Sequence, residues 1–218
     1  MIINSIKMLK YDFQRKFTII GFIMFGCMAI GYSIGNAHGL DMVGAYFWGP
    51  FMGMFPLQSL YNVLYAKCVV ASPKYKKYIV QGTVILHSIF MVTMYLLCIV
   101  LYYICSKQFG FEFDVKFAVI SFLIVDIGLA IYIQVYYRNA ILGILSMLPT
   151  MYIILASNDP QNKFLKFVNG LSIDDISIMI IGAVGLVVCE VILYVVSLLL
   201  YKVPFSDGVM KRMLSRIR

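Results

Sequence analysis

Apolar positions in this chain run together instead of alternating. Six long hydrophobic stretches, at about 17–36, 43–65, 79–104, 117–137, 140–157 and 175–201, are separated by short polar or basic connections. Each is close to the ~20 residues a helix needs to cross a hydrocarbon layer, so the pattern predicts six transmembrane helices. Pro149 interrupts the fifth run, and only Arg138-Asn139 separates it from the fourth, which implies a tight hairpin there. The second run carries Gly44, Gly49, Pro50, Gly53 and Pro56. Such helix-weakening residues predict a kinked helix beside a protein-lined path or a subunit contact. Gly31-x-x-x-Gly35 and Gly49-x-x-x-Gly53 would each let two helices approach closely.

The polar remainder is organised around these runs. An even number of spans puts both termini on one side. Fourteen of the 18 Lys and Arg residues then share that side, with Lys107, Lys116, Lys163 and Lys166 on the other. Positive charge collects on the cytoplasmic face of membrane proteins, so the termini and the 66–78 loop are expected in the cytoplasm. Ile2, Ile6, Leu9 and Phe13 fall on one face of an N-terminal helix, with Asn4, Lys7, Tyr11 and Gln14 opposite, which predicts an amphipathic helix along the inner leaflet. Met210, Met213, Leu214 and Ile217 make a smaller stripe at the C-terminus, with Asp207 as a possible cap. Phe164, Leu165, Phe167 and Val168 suggest a short interfacial helix on the outer side ending near Asn169-Gly170.

Composition agrees with this layout. Of 218 residues, 62% are hydrophobic and 13% charged, against about 45–50% and about 25% in soluble domains. The expectation is one all-α integral membrane domain over residues 1–218, multi-pass and in a bacterial cytoplasmic membrane, with no separate soluble domain. The net charge of +8 is explained by topology, so nucleic acid is not expected as a partner. Cys27, Cys68, Cys98, Cys105 and Cys189 show no C-x-x-C spacing, and neither a disulfide framework nor a zinc site is indicated. The N-terminus lacks the order of regions found in a signal peptide, so the first span is expected to remain in the mature protein.

Catalytic signatures are missing from the sequence. There is no G-x-x-x-x-G-K-[ST], H-E-x-x-H or G-x-S-x-G pattern, and His38 and His87 lie on different segments. No enzyme activity, metal or cofactor is therefore expected in the chain itself. Two acids stand out, Asp126 and Glu190, each near the middle of an apolar run, where a charge costs about 2.5–3.5 kcal/mol on insertion scales. Such residues face a cavity or a partner, either as a polar patch in a translocation pathway or as protonated acids bonded within the bundle. Gln81 and Gln134 read as interhelical hydrogen-bonders, and His87 as a neutral packing residue before a proton relay.

Between the second and third runs lies Ala71-Ser72-Pro73-Lys74-Tyr75-Lys76-Lys77-Tyr78-Ile79-Val80-Gln81-Gly82. Ser72 followed by Pro73 reads as a helix start, with the lysines holding the helix out of hydrocarbon and Tyr75 and Tyr78 suited to an interface or a partner's groove. This loop, placed between spans two and three, resembles the corresponding loop of permease subunits of ABC-2 type transporters. That loop pairs a small residue-Ser/Leu-Pro start with basic residues and then Ile/Val-x-Gly; Thr83 stands here where the family often has a basic residue.

The resemblance implies that Ser72, Pro73, Lys74, Tyr75, Lys76, Lys77 and Tyr78 form a coupling helix held by a separately encoded ATPase, which would bind ATP and magnesium. It also implies a second permease copy around a central pathway. Closure of the ATPases would move the coupling helices and shift the first, second and fifth spans between inward-open and outward-open packings. Size and layout look most like compact bacterial permeases that export peptides, including phenol-soluble-modulin exporters and lantibiotic-immunity permeases, so the expected cargo is an amphipathic or antimicrobial-type peptide. Alternatives from the residues are a proton-coupled secondary transporter using Asp126 and Glu190, a membrane immunity or sensor protein that transports nothing, and an intramembrane hydrolase with those acids paired.

Overall fold

A computed structural model of the chain describes residues 16, 19–21, 23–24, 26–28, 45–64, 71–109, 115–156, 166–168 and 170–209. These residues are helical with short turns between, and no strand occurs among them. The elements are α1 (Ala45–Leu64), α2 (Tyr75–Lys77), a π-helical turn (Tyr78–Gly82), α3 (Thr83–Phe109), α4 (Val115–Tyr136), α5 (Ala140–Ser146), α6 (Leu148–Ala156) and α7 (Asp175–Leu200). Three helices, Tyr75–Val100, Val115–Tyr136 and Asp175–Leu200, are long and apolar enough to cross a membrane. A shorter apolar helical stretch, Ile19–Met28, brings Gly21 and Gly26 beside Phe55 and Met52 of α1. The expected N-terminal amphipathic helix before Lys16, the Gly31-x-x-x-Gly35 pair and the C-terminal stripe from Met210 onward lie outside the described residues.

α4 is the centre of the bundle. Its buried residues, among them Phe117, Ser121, Phe122, Val125, Asp126, Leu129, Ile133 and Gln134, cover most of its circumference, as expected for a helix that is apolar all round. α7 is one-sided by contrast. Ile178, Gly182, Leu186, Cys189, Leu193 and Ser197 recur every three or four residues and are buried, so they form one stripe against α3 and α4. Its other face exposes Ile180, Val184, Val187, Val188, Val191, Val195 and Leu199. Ile89, Val92, Leu96, Leu97 and Val100 of α3, with Ile141, Leu142, Ile144 and Leu145 of α5, extend this apolar exterior. A continuous belt of this kind is a liability in water and a match for lipid tails.

α1 lies across α3 and α4 with its two prolines, Pro50 and Pro56, buried. Gly49 faces the Cys98 sulfur and Gly53 the Met91 sulfur, so the Gly-x-x-x-Gly pair serves a contact between two helices of this chain. Small residues at that spacing let sulfur side chains fill the room a Cβ would take.

The hairpin after α4 follows its sequence closely. Asn139, in extended conformation, accepts hydrogen bonds from the Ile141 and Leu142 amides at 3.1 and 3.2 Å and so caps α5. The break in the fifth span falls at Met147, between α5 and α6, and Pro149 sits in the first turn of α6, where its missing N–H costs little. Residues 166–168 are helical, and the Gly170 amide bonds the Lys166 carbonyl at 3.0 Å, which ends that turn near the expected place.

The two ends of the bundle differ. At one end Arg138 Nε donates to the Leu200 carbonyl at 2.8 Å, the Lys76 ammonium lies 4.9 Å from the Tyr201 ring centre, and the Ser206 amide donates to the Tyr137 carbonyl at 3.0 Å. Residues 71–78, 137–139 and 200–209 therefore share what we call the basic end. At the other end Lys116 Nζ donates to the Leu171 carbonyl at 2.6 Å, so α4 and α7 run parallel and α3 runs against them.

Candidate functional site

Local sequence sets the shape of the segment with the exposed lysines. The Ser72 carbonyl accepts from the Tyr75 amide at 2.9 Å, and the Ser72 hydroxyl accepts weakly from the Lys74 amide at 3.3 Å. Ser72 thus closes a turn, and the α-helix begins at Tyr75, two residues later than Pro73. Ala71, Pro73, Lys74, Lys76 and Lys77 are exposed, while Tyr75 and Tyr78 are half-buried against Leu57, Leu60, Leu64, Ile79 and Tyr137. The tyrosines root the segment and the lysines project from it.

The π-helical turn Tyr78–Gly82 joins α2 to α3 without ending the helix. An extra residue in one turn leaves carbonyls poorly served, and such bulges are often found at functional positions. The Thr83 hydroxyl donates to the Ile79 and Val80 carbonyls at 2.8 and 3.0 Å, which supplies part of the missing bonding. Gln81 is exposed and makes no interhelical bond, contrary to its expected role. Its partner in that expectation, Gln134, is fully buried and does span helices: its Nε2 donates to the Ser197 hydroxyl of α7, and its Oε1 accepts from the Tyr61 hydroxyl of α1.

The structure brings Asp126 and Glu190 together through a third residue. The His87 ring lies between them, with Nδ1 2.8 Å from Glu190 Oε1 and Nε2 3.2 Å from Asp126 Oδ1. The second contact is too oblique for a well-formed hydrogen bond, since Asp126 Oδ1 has no partner by angle. Side-chain exposure is 2% for His87, 0% for Asp126 and 14% for Glu190. Asp126 lies ten residues from the end of α4, Glu190 ten from the end of α7 and His87 twelve from Tyr75. At 1.5 Å per residue all three sit ~15–18 Å from the basic end, half-way through a ~30 Å layer.

His87 is the residue that the sequence reading undervalued. A packing histidine is the commoner case, yet three ionisable groups at mid-span on three helices can satisfy one another only by meeting. One base between two acids in an otherwise apolar bundle was the available signal.

Eight residues from Asp126 along α4, and seven from Glu190 along α7, lies a second polar layer made of Gln134, Ser197 and Tyr61. One turn further, Arg138 closes the column. It is buried, its Nη1 donates to the Gln134 carbonyl and its guanidinium sits 5.2 Å from the Phe205 ring centre. Tyr137 donates to Asn62 Oδ1 at 2.8 Å in the same region. Toward the opposite end the triad meets Met91, Met94, Tyr95, Val119, Phe122 and Leu186, an apolar cluster. Polar groups on the basic side of the triad are interleaved with the apolar cluster of Leu57, Leu60, Ile79 and Ile133, whereas the other side is mainly apolar.

No family model, curated protein or solved structure matches this chain. Function therefore has to be argued from the site alone.

Proposed function

We propose that this chain is the membrane-spanning permease subunit of an ATP-driven exporter, with ATP hydrolysis supplied by a separate ATPase that docks on Ser72–Tyr78 from the cytoplasm. The observation that carries this reading is the unbroken helix from Tyr75 to Phe109. Its head exposes Lys74, Lys76 and Lys77, and twelve residues from Tyr75 it carries His87. A push on the head is transmitted to mid-membrane by a stiff element rooted through Tyr75 and Tyr78, a geometry that can bias a bistable bundle. Three lysines within four residues suit an acidic groove, where charge complementarity speeds and orients docking.

A second copy of the chain would complete a translocation pathway, and an amphipathic peptide is the cargo we favour. The methionine and aromatic side chains around Met91, Met94 and Phe122 suit greasy ligands of variable shape, and the acids of the triad suit cationic ones.

Affinity purification of the chain from its native cell in mild detergent tests the reading. An ATP-binding subunit should co-purify with the wild-type chain, amphipathic cationic peptides should stimulate its hydrolysis, and Lys76→Glu with Lys77→Glu should abolish co-purification while the chain remains inserted. Unchanged co-purification and transport in that variant would refute the docking site.

A further inference from the structure

We propose that His87, Asp126 and Glu190 form a proton-binding site in the middle of the bundle. In the arrangement described it carries a single negative charge, and one further proton neutralises it. This goes beyond the docking reading and does not depend on it.

The argument is a count of protons. A neutral imidazole has one N–H and one bare nitrogen, yet here both ring nitrogens face carboxylate oxygens. A proton lies on the Nδ1–Glu190 line, and a bare Nε2 lone pair 3.2 Å from an ionised Asp126 would be repelled, so a second proton sits on Nε2 or on the Asp126 carboxyl although that contact is oblique. An imidazolium between two carboxylates and a neutral imidazole beside one carboxylic acid and one carboxylate contain the same protons. Either way the three groups share two and keep one negative charge. Both Asp126 oxygens and Glu190 Oε2 are buried without a well-formed hydrogen bond, and a third proton lands on one of them. The step is a simple association in which the anionic site and one proton give a neutral site, with no other reactant.

Nothing nearby among the described residues supplies the compensating cation instead. α1, α5 and α6 carry no charged side chain. Tyr61 of α1 belongs to the Gln134 layer. On α4, Lys116 is ten residues from Asp126, ~15 Å away along the helix, and its ammonium is bonded to the Leu171 carbonyl. Arg138 is twelve residues beyond Asp126, ~18 Å, with its own bonds to Leu200 and Gln134. On α3, Lys107 is twenty residues from His87, and on α7 Asp175 is fifteen from Glu190. The neighbouring titratable group is the Cys189 thiol of α7, buried beside the Asp126 carboxyl. No group of His, Cys, Asp and Glu among the described residues has the arrangement of a metal site, so the ligand that fits is the proton.

The asymmetry of the interior gives its route. Thr83, Ser197, Gln134 and Arg138 set polar groups among the apolar residues between the triad and the basic end, whereas Phe122, Met91 and Leu186 pack the other side. The proton arrives from the basic end. Its uptake neutralises one of the two carboxylates and so removes one of the two attractions that hold the His87 ring, which loosens the packing around α3, the helix that continues from Lys76.

The test uses the full chain in vesicles of phosphatidylcholine and phosphatidylglycerol. With only two histidines in the sequence, His38→Gln leaves His87 as the sole signal in nitrogen-15 spectra, and both ring nitrogens should report bound or shared protons at neutral pH. Acidification should add a carboxylic-acid band to infrared difference spectra, shifted by carbon-13 aspartate or glutamate in the wild-type chain and lost in Asp126→Asn or Glu190→Gln. The isotope arm needs no substitution and stands if a variant fails to fold. A His87 ring with one bare nitrogen throughout the titration, or a band insensitive to both labels, overturns the proposal.

Discussion

Gly143 lies directly against the backbone of Tyr136: a Cβ built on Gly143 would come within 2.5 Å of the Tyr136 Cα and 2.8 Å of its amide nitrogen. Backbone atoms at the end of α4 cannot turn aside as a side chain can. Gly143 is therefore what allows α5 to fold back on α4 after a connection of only a few residues. Gly143→Ala should open this hairpin at a cost of ~1–3 kcal/mol, the usual range for forced overpacking, read as a lower midpoint of thermal unfolding in detergent. Gly208→Ala, whose added carbon would meet only the Ser206 hydroxyl at 3.7 Å, should leave the midpoint unchanged.

Phe205 fastens the chain after α7 to the basic end. Its ring meets those of Tyr61 and Tyr137 edge-on, with centres 6.2 and 6.5 Å apart, and Val209 beyond it is buried in the cluster of Leu57, Leu60 and Leu64. Replacing the ring removes the anchor between two backbone-held points. Phe205→Ala should leave the protein inserted but make the chain after Lys202 sensitive to limited trypsin digestion in closed vesicles that present the basic end outward, at protease levels that spare the wild type.

Much of this architecture was legible in the runs of apolar residues. Helices α1, α4 and α7 fall within a few residues of the stretches 43–65, 117–137 and 175–201, because a lipid layer demands contiguous apolar helix and the sequence must show it. The break between α5 and α6 falls two residues before Pro149, and the hairpin before α5 was visible in Arg138-Asn139. Facing was not legible in the same way. Nothing local tells that His87, 39 residues before Asp126 and 103 before Glu190, would lie between them, since that depends on how three helices rotate against one another. Gln81 and Gln134 looked alike in sequence, yet the π-helical turn rotates the first outward while the second is packed at the centre of the bundle.

Asp174 caps α7 at the end opposite Lys74, Lys76 and Lys77. Its side chain accepts from the Ser177 amide at 3.0 Å, and the side-chain and backbone hydrogen bonds from Ser177 hold its carboxyl below the ordinary aspartate range. A folded-state pKa below the unfolded one means that the cap contributes stability above the unfolded value, about 3.9, and loses it as pH falls through the folded value. The protection factor of the Ser177 amide, its deuterium exchange rate set against the intrinsic rate at each pH, should fall once the pH passes below that range. Asp174→Asn keeps an acceptor at the cap, so it should retain protection at neutral pH and lose the acid dependence.

The triad gives opposite outcomes for breaking and for replacing. His87→Ala removes the only group between Asp126 and Glu190 and leaves two acids in a low-dielectric interior with their oxygens unsatisfied. Removing one partner of a buried ionic cluster typically costs ~3–5 kcal/mol, whereas exchanging the whole cluster for apolar residues of similar volume is often neutral or favourable. His87→Ala should therefore unfold well below the wild type in detergent, and the triple variant His87→Leu, Asp126→Leu, Glu190→Leu should recover most of the loss. With His87→Leu, Asp126→Leu and Glu190→Leu measured singly and in pairs as well, the non-additivity gives the coupling energy of a mutant cycle. A triple variant that is stable yet blind to pH in its infrared spectrum separates the two roles of these residues, since apolar side chains can hold the helices together but cannot carry a proton.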